Sequence, residues 1–389
     1  MHTRKEIRSI TPSELLALRR AMIELQRRDG PGSYIDLAGY HGVSKWNCQH
    51  QNDLFLPWHR AYLRIFEQAL QEIDSTVAIP FWDWTSRDSF NQGIANAHSD
   101  TTFDNNGNNQ PNPLLSGPIE SRVRQTSRLT SHNLNQLRSI NLSVEEAMAK
   151  SNYIEFNNLI EGPHGSIHVW VGGDMGAMDF AAYDPIFWSH HATVDRQWAI
   201  WQKCNTEQNL SAELLQKVLP GFSDWTVADT LDITSSRLDY TYDGISSIPC
   251  LQGDRIATNN IIEHVQGDKR RIVVEVQDIA RDKESFMVDI FVQKAPTEEE
   301  TGVFGGSFGI FGVEDSSINN HEHGHVHSHH HPVKGTQRVD ITDAIETLGL
   351  QTDQEIRSIE LRLLATTKLG DTVDQSALPI GSLNLQIIG

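Results

Sequence analysis

Two groups of histidines constrain most strongly what this chain of 389 residues can fold into. The groups are His41, His50 and His59, then His164 and His168 with one of the adjacent pair His190 and His191. A single histidine on an apolar face is usually a packed core residue, but so many at these spacings favour metal ligands. No carboxylate or free thiolate obviously completes either group. Sets of three imidazoles suit two copper ions better than zinc, which usually takes mixed ligands, or non-haem iron, which usually takes a carboxylate.

The spacing within the groups predicts helices that carry these ligands on their buried faces. His164 and His168 lie four residues apart, so on a helix both imidazoles project from one face, one turn apart. Apolar residues follow the other ligands at helical spacing: Leu63, Phe66 and Leu70 after His59, and Val194, Trp198 and Trp201 after His191. Helices with inward ligands are how helical bundles build dinuclear metal sites.

The motifs around these histidines resemble the type 3 copper family, which contains tyrosinases, catechol oxidases and molluscan haemocyanin units. They are HG at 41–42, CQH at 48–50, FLPWHRAYLRIFEQAL at 55–70, IPFWDWT at 79–85, HGSIHVWVGG at 164–173 and DPIFWSHHATVDRQW at 184–198. RKEIRSITPSELLALRRAM at 4–22 and FGGSFGIFG at 304–312 also resemble haemocyanin units. The resemblance implies a dinuclear copper centre with O2 as co-substrate. It also implies that His191 is the ligand, with His190 supporting the ligands from outside.

A change in character near residue 240 predicts two domains. LDYTYD at 238–243 resembles the tyrosine pair that closes the catalytic domain of tyrosinases. Short β-rich runs follow, and several alternate apolar and polar residues as half-buried strands do. With the resemblance, this predicts a mainly α-helical catalytic domain over 1–249, in which a four-helix bundle holds two coppers. An antiparallel β-sandwich over 250–389 is expected to shield it.

The resemblance implies a polyphenol oxidase that turns o-diphenols into o-quinones and reduces O2 to water, with weak monophenol hydroxylation. Small phenols are then the expected substrates. One alternative is a reversible oxygen carrier like a haemocyanin unit, which the likenesses at both ends of the chain favour. FLPWHRAYL and FWSHHATVDRQW look more like bacterial and fungal tyrosinases, and the interval from His41 to His50 lacks the insertion of haemocyanin units. A specialised oxidase of o-aminophenols, or one that couples phenols, is a further alternative.

Five further positions acquire roles through the resemblance. Glu161 matches a glutamate that orders a water near the site, and Gly165 stands where some tyrosinases have an asparagine that helps it. This departure weakens the case for monophenol hydroxylation. Val169 is expected to line the entrance and Met178 to lie over the copper as a gate. Phe311 is expected to cover the copper pair in place of substrate, so that the full chain is latent. Core packing is the alternative for Met178 and Phe311.

The three cysteines do not form a disulfide framework. Cys48 stands two residues before His50, as in family members that carry a thioether between this cysteine and the imidazole. The resemblance therefore implies a Cys48–His50 thioether, with a free buried thiol as the alternative. Cys204 and Cys250 could pair, and the sequence does not decide this.

Charged and aromatic residues beside the ligands are expected to support them. Asp195 and Arg196 follow the histidine pair and are candidates for contacts behind the ligands, with ordinary surface charges as the alternative. The aromatic and acidic residues of FWDWT are expected to pack beneath the site as scaffold: Trp82, Asp83 and Trp84.

The segment HEHGHVHSHHH at 321–331 is rich in histidine, and we expect either a solvated loop or a copper collector that feeds the site. The net charge of −19 argues against nucleic acid and anionic membranes as partners. The sequence shows neither a membrane-spanning stretch nor an apolar leader at its start. A cytoplasmic location is one expectation, and the sequence leaves the compartment open.

Overall fold

The computed structural model describes residues 1–119, 124–206, 208–248, 250, 270–280, 284–294, 302–312 and 335–388. The histidine-rich segment 321–331 lies outside the described residues, so its predicted roles stay predictions. The chain divides into two compact units. The first comprises Met1–Arg128, Ala147–Glu161 and Phe180–Ile262, and the second comprises Leu129–Glu146, Gly162–Asp179 and Glu263–Gly389. Because this division is not a single cut, the domain boundary at 249/250 stays a prediction.

The predicted helices are present, together with several short ones. In the described residues they are α1 (Pro12–Arg27), α2 (Tyr34–Ala38), α3 (Phe55–Gln71), α4 (Arg87–Gln92), α5 (Asn96–Ser99), α6 (Leu134–Met148), α7 (Tyr153–Val171), α8 (Ile186–Cys204), α9 (Ala212–Leu215), α10 (Thr342–Thr347) and α11 (Asp353–Arg357). None of these described helices is long and apolar enough to cross a membrane.

Local capping explains where two of the long helices begin. At the start of α1 the Thr11 side chain accepts the N–H of Glu14, and the Glu14 carboxylate accepts the N–H of Thr11. At α7 the side chain of Asn152 accepts the N–H of Ile154. Ser143 and Glu146 also match the capping-box pattern, but no helix begins there. Ser143 lies inside α6 and its hydroxyl donates to the carbonyl of Arg338.

The longest of the described strands lie in the C-terminal part of the chain. They are β1 (His2–Arg4), β2 (Thr102–Asp104), β3 (Asn109–Pro111), β4 (Pro118–Ile119), β5 (Arg124–Gln125), β6 (Val218–Leu219), β7 (Phe222–Thr226), β8 (Tyr240–Tyr242), β9 (Arg271–Ile279), β10 (Phe286–Lys294), β11 (Val303–Ile310), β12 (Gly335–Asp340), β13 (Ile359–Thr367), β14 (Thr372–Val373) and β15 (Ser382–Ile388).

Two antiparallel sheets dominate the second unit. One has the strand order β11-β10-β13-β14 and the other has the order β12-β9-β15. Alternate side chains of both sheets enter one apolar cluster, among them Val274 and Val276 of β9 and Val288 and Ile290 of β10. This alternation is the period-2 pattern that the sequence predicts for half-buried strands.

The first unit packs its long helices through aromatic side chains. Phe66 of α3 stacks on Trp188 of α8, with ring centroids 3.5 Å apart, and Phe156 of α7 stacks on Trp201 at 4.8 Å. The chain start joins this unit because β1 pairs in parallel with β8. These contacts fix the helix faces that carry the predicted ligands.

Candidate metal centre

The first predicted ligand set converges in the first unit. His41 follows α2, His50 precedes α3, and His59 lies in the first turns of α3. One ligand atom of each lies within 4.8 Å of those of the other two. The Nε2 atoms of His41 and His50 are 3.3 Å apart. Two imidazole nitrogens bound at about 2 Å to one first-row metal ion lie about 3 Å apart, so this spacing fits a shared ion.

Backbone carbonyls fix which ring nitrogen carries the proton. The Nδ1 of His59 is 2.7 Å from the carbonyl oxygen of Phe55, and the Nδ1 of His168 is 3.0 Å from that of Met175. A carbonyl can only accept, so both Nδ1 atoms must donate. The lone pair then lies on Nε2, which is the arrangement of a metal-binding imidazole held by an outer partner.

Burial keeps His59 neutral. Desolvation lowers the pKa of His59 well below its ordinary value, and the neighbouring imidazoles of His50 and His41 lower it further. A neutral imidazole is the form that binds metal ions.

Glu161 lies against the first ligand set. Its carboxylate is 3.5 Å from the Nδ1 of His50 and accepts the backbone N–H of Gln51 at 2.7 Å. His50 therefore has its Nε2 toward His41 and its Nδ1 toward a carboxylate. A carboxylate behind a ligating imidazole orients the ring and raises its basicity. The predicted role of Glu161 in ordering a water stays a prediction.

The second predicted set is divided between the two units. His164 and His168 lie on α7 in the second unit, with their Nε2 atoms 3.0 Å apart and both rings buried. His191 lies on α8 in the first unit and stacks on His59, with centroids 4.5 Å apart and planes 12° apart. Its neighbour His190 is fully buried, 6.0 Å from the ring of Trp84.

Phe311 covers the predicted ligand pair of the second unit, His164 and His168. It lies just beyond β11, is 1% exposed, and stacks on the ring of His168 with centroids 4.2 Å apart and planes 12° apart. It also meets His164 edge-on at 6.2 Å. Gly165 leaves room for it, since a Cβ at this position would lie 3.3 Å from the Cβ of Phe311.

The other predicted pocket residues are buried in the same unit. Val169 and Met178 are 1% and 7% exposed. The backbone N–H of Met178 donates to the carbonyl of Gly312 at 3.2 Å, next to Phe311. Their roles as entrance and gate stay predictions.

Asp195 is the centre of a buried ionic network. It accepts hydrogen bonds from Arg4 at 3.2 Å, from Tyr240 at 2.6 Å and from Tyr242 at 2.5 Å, and it pairs with Arg60. The tyrosine pair of the LDYTYD motif therefore converges on one carboxylate. This network joins β1, α3, α8 and β8.

Neighbouring candidates have packing roles. The guanidinium of Arg196 lies over the ring of Phe81, 4.7 Å from its centroid. Asp83 accepts the backbone N–H of Thr85 at 3.2 Å and shapes the turn before α4. Trp82 and Trp84 are fully buried, which fits the predicted scaffold role.

The structure pairs Cys204 with Cys250 in a disulfide, a point that the sequence left open. Cys48 is half-buried and is not part of a disulfide. The thioether to His50 stays a prediction.

His98 was not predicted from the sequence, yet it contacts α8 two residues before the predicted ligand His191. Its Nε2 lies 3.1 Å from the hydroxyl of Ser189 and its Nδ1 lies 3.4 Å from the carbonyl of Leu114. Burial lowers the pKa of His98 to about 3, with Arg128 adding to the effect. His98 lies in the short helix α5, and a single histidine with no repeating pattern around it gives no sequence signal for such a contact.

We expect His98 to make the protein less stable in mild acid. Its pKa is lower in the folded chain than in the unfolded chain, so its contribution is complete above about pH 6.5 and is lost as pH falls towards 3. For each pH unit in this range, the free energy of unfolding should fall by about 1.4 kcal/mol more in the wild type than in His98→Gln. Parallel unfolding curves of the two proteins between pH 6.5 and 4 would contradict this.

Comparison with known proteins shows what the chain is similar to. Residues 31–204 match a family model described as the common central domain of tyrosinase, and residues 252–381 match one described as a domain of unknown function. Hemocyanin beta-C chain unit G of Helix pomatia is 27% identical over 302 residues, which are 70% of this chain and 72% of that unit. Other molluscan hemocyanin chains are matched over smaller shares of their length, such as 58% and 6%.

Solved structures of both kinds share the fold. A functional unit from octopus hemocyanin matches with a TM-score of 0.74 and 23% identity, over 100% of this chain and 99% of that one. A tyrosinase from Burkholderia thailandensis matches with a TM-score of 0.74 and 19% identity over 100% of both chains. The chain therefore carries the fold of the type 3 dicopper family with haemocyanin-like features, as the motifs predicted. This family implies dinuclear copper, and the all-imidazole set of His41, His50 and His59 fits a copper ion.

Proposed function

We propose that this protein is a dicopper polyphenol oxidase that turns o-diphenols into o-quinones, with weak hydroxylation of monophenols. The ligands of one copper are His41, His50 and His59, and those of the other are His164, His168 and His191. In this proposal these histidines are held by a four-helix bundle, and the two sheets form a shielding β-sandwich. The stacking of Phe311 on His168 is the observation that carries the proposal. A flat six-membered ring already lies against this ligand imidazole, so the ring of a phenol would fit in the same position.

The reaction balances without further reactants. The six histidines would hold a copper pair, which would supply a route for electrons from the diphenol to O2. Two diphenols each lose two electrons and two protons, and one O2 takes up all four of each to give two waters. In this proposal Glu161 orders a water that takes the phenolic proton, and it also orients His50 through the 3.5 Å contact at Nδ1.

The remaining residues of the site position and protect the ligands. The carbonyls of Phe55 and Met175 hold the rings of His59 and His168 in one tautomer. Burial of His164 and His168 beneath Phe311 excludes water from the pair. We propose that a Cys48–His50 thioether further fixes the loop before α3. Gly165 offers no side chain to assist Glu161, which favours diphenols over monophenols.

A second candidate function is reversible oxygen carriage. It is supported by the similarity to hemocyanin unit G and by the cover that Phe311 places over its ligands. In that function the same histidines would hold the metal, and phenols would be excluded.

Oxygen uptake distinguishes these functions. The copper-loaded full chain is assayed with a catechol, a monophenol and an o-aminophenol, before and after limited proteolysis, with bound copper quantified. The proposal predicts uptake with catechol that increases after proteolysis. Reversible oxygen-dependent absorption without turnover would favour the carrier. Faster uptake with the o-aminophenol than with the catechol would favour the specialised oxidase.

We expect Glu161→Gln to weaken copper binding about 10- to 100-fold, because the substitution removes the carboxylate behind His50. Competition with a chelator measures this loss. Glu155→Gln, at an exposed position of the same helix, is the matched control and should bind copper as the wild type does. Equal affinity in all three proteins would contradict the orienting role.

A further inference from the structure

The two faces of β11 contact different parts of the second unit. Phe308 and Ile310 enter the apolar cluster shared by the two sheets. Because side chains alternate along a strand, Ser307, Gly309 and Phe311 point the other way. The contacts agree, since the N–H of Ser307 donates to a side chain of α6 and Phe311 stacks on a histidine of α7.

Gly309 brings β11 into close contact with α7. Its N–H donates to the Oγ of Ser166 at 2.8 Å, and its carbonyl accepts from the Nε2 of Gln337 on β12 at 2.5 Å. A Cβ at position 309 would lie 2.6 Å from the Cα of Ser166, so the close approach requires glycine. Ser166 and Gln337 are 1% and 7% exposed. We call these two side chains and their bonds to Gly309 the Ser166–Gln337 clamp.

The clamp is close in sequence both to His168 and to Phe311, the residue that covers it. Ser166 precedes His168 by two positions, and Gly309 precedes Phe311 by two. Beyond Phe311, the N–H of Gly312 donates to the Oγ of Ser285 at 2.9 Å. The backbone on both sides of Phe311 is therefore held by buried polar contacts, and an unmade bond there would cost the desolvation of its partner.

We propose that Ser166 and Gln337 are positioning residues that hold the ring of Phe311 against His168 and thereby set how often the ligand pair is uncovered. That uncovering admits a phenol is the part that rests on the proposed function. The polar contact at Gly309 can be weakened by substitution, while Phe308 and Ile310 keep the strand anchored in its sheet. Loosening the clamp therefore moves Phe311 without unfolding the sheets.

Hydrogen exchange of the full chain tests the clamp without reference to activity. Gln337→Leu removes the bonds to Gly309 and Ser166 and puts an apolar side chain of similar size in place of the amide. Exchange over 304–312, followed by mass spectrometry, should become about tenfold faster, as expected for loss of one net hydrogen bond. Ser166→Ala, which removes the acceptor of the Gly309 N–H, should act in the same direction and serves if Gln337→Leu folds poorly.

Gln386→Leu is the matched control. Gln386 lies on β15, in the same sheet as Gln337, and bonds to Arg338 and Glu275, whereas β11 belongs to the other sheet. Its exchange over 304–312 should equal that of the wild type. Unchanged exchange in both clamp variants, or an equal increase in the control, would overturn the proposal.

Catechol turnover of the same proteins separates this inference from the proposed function. Faster exchange together with increased turnover in Gln337→Leu supports both. Faster exchange with no turnover in any copper-loaded protein supports the clamp and overturns the oxidase.

Discussion

Replacing Asp195 with asparagine is expected to destabilise the protein by about 3–5 kcal/mol, which is the usual cost of removing one partner from a buried ion pair. The carboxylate pairs with Arg60 and Arg4 and accepts from Tyr240 and Tyr242, and the surrounding groups are almost completely buried. Without its charge the two guanidinium groups lose their shared partner inside the first unit. Denaturant unfolding measures the loss.

The pH dependence of stability tests the same network independently. Burial alone would raise the pKa of Asp195, but Arg60 and Arg4 outweigh it and hold the pKa below its ordinary value of 3.8. A carboxyl with a lowered pKa stabilises the folded chain fully above the ordinary value and loses this contribution as pH falls below it. The stability difference between wild type and Asp195→Asn should therefore shrink below about pH 4.

An exposed ion pair supplies the control for Asp195. Arg237 and Asp224 are 2.9 Å apart, but the Asp224 side chain is 78% exposed. Asp224→Asn should cost less than about 1 kcal/mol, as surface pairs do. Equal small losses in Asp195→Asn and Asp224→Asn would contradict the structural role of the network.

Replacing Phe311 with glycine is expected to raise catechol turnover of the intact chain at least about tenfold. The variant loses a ring that is 1% exposed and stacked on His168, and removal of a buried phenylalanine side chain costs about 3–5 kcal/mol. Each 1.4 kcal/mol by which Phe311 favours the covered state lowers the uncovered fraction about tenfold, and the glycine variant loses this effect. Initial rates of oxygen uptake with catechol, at equal copper content, measure the effect.

A second phenylalanine of the same sheet controls for general loosening. Phe291 on β10 is half-buried and packs edge-on against Phe304, with centroids 5.9 Å apart. Phe291→Gly should leave turnover near the wild-type rate. Unchanged turnover in Phe311→Gly, or an equal increase in both variants, would contradict the covering role.

The local features of this fold were readable from the sequence. The capping box of Thr11 and Glu14, the helical spacing of His164 and His168, and the alternating strands of the C-terminal part depend on residues within a few positions of one another. Their structural outcomes follow from backbone geometry alone. Ser143 shows the limit of this reasoning, because a matching capping pattern was overridden by the longer α6 and a contact with Arg338.

The long-range contacts of the site could not be derived in this way. Asp195 was a candidate for support of the ligands, but its partner Arg4 is 191 positions away and gave no signal. Gln337 was missed because its contact with Gly309 depends on the register and order of β12 and β11 in separate sheets. Phe311 was selected only through family resemblance, since a phenylalanine at a strand end is usually part of the core.

Copper stoichiometry tests the central claim most directly. The wild-type chain, reconstituted with copper and freed of excess metal, is compared with His59→Ala and His164→Ala for copper bound per folded chain. Two separate sets of three imidazoles predict about two coppers for the wild type and a loss of about one in each variant. One copper or none in the wild type, or two coppers retained in either variant, would contradict the paired copper centre.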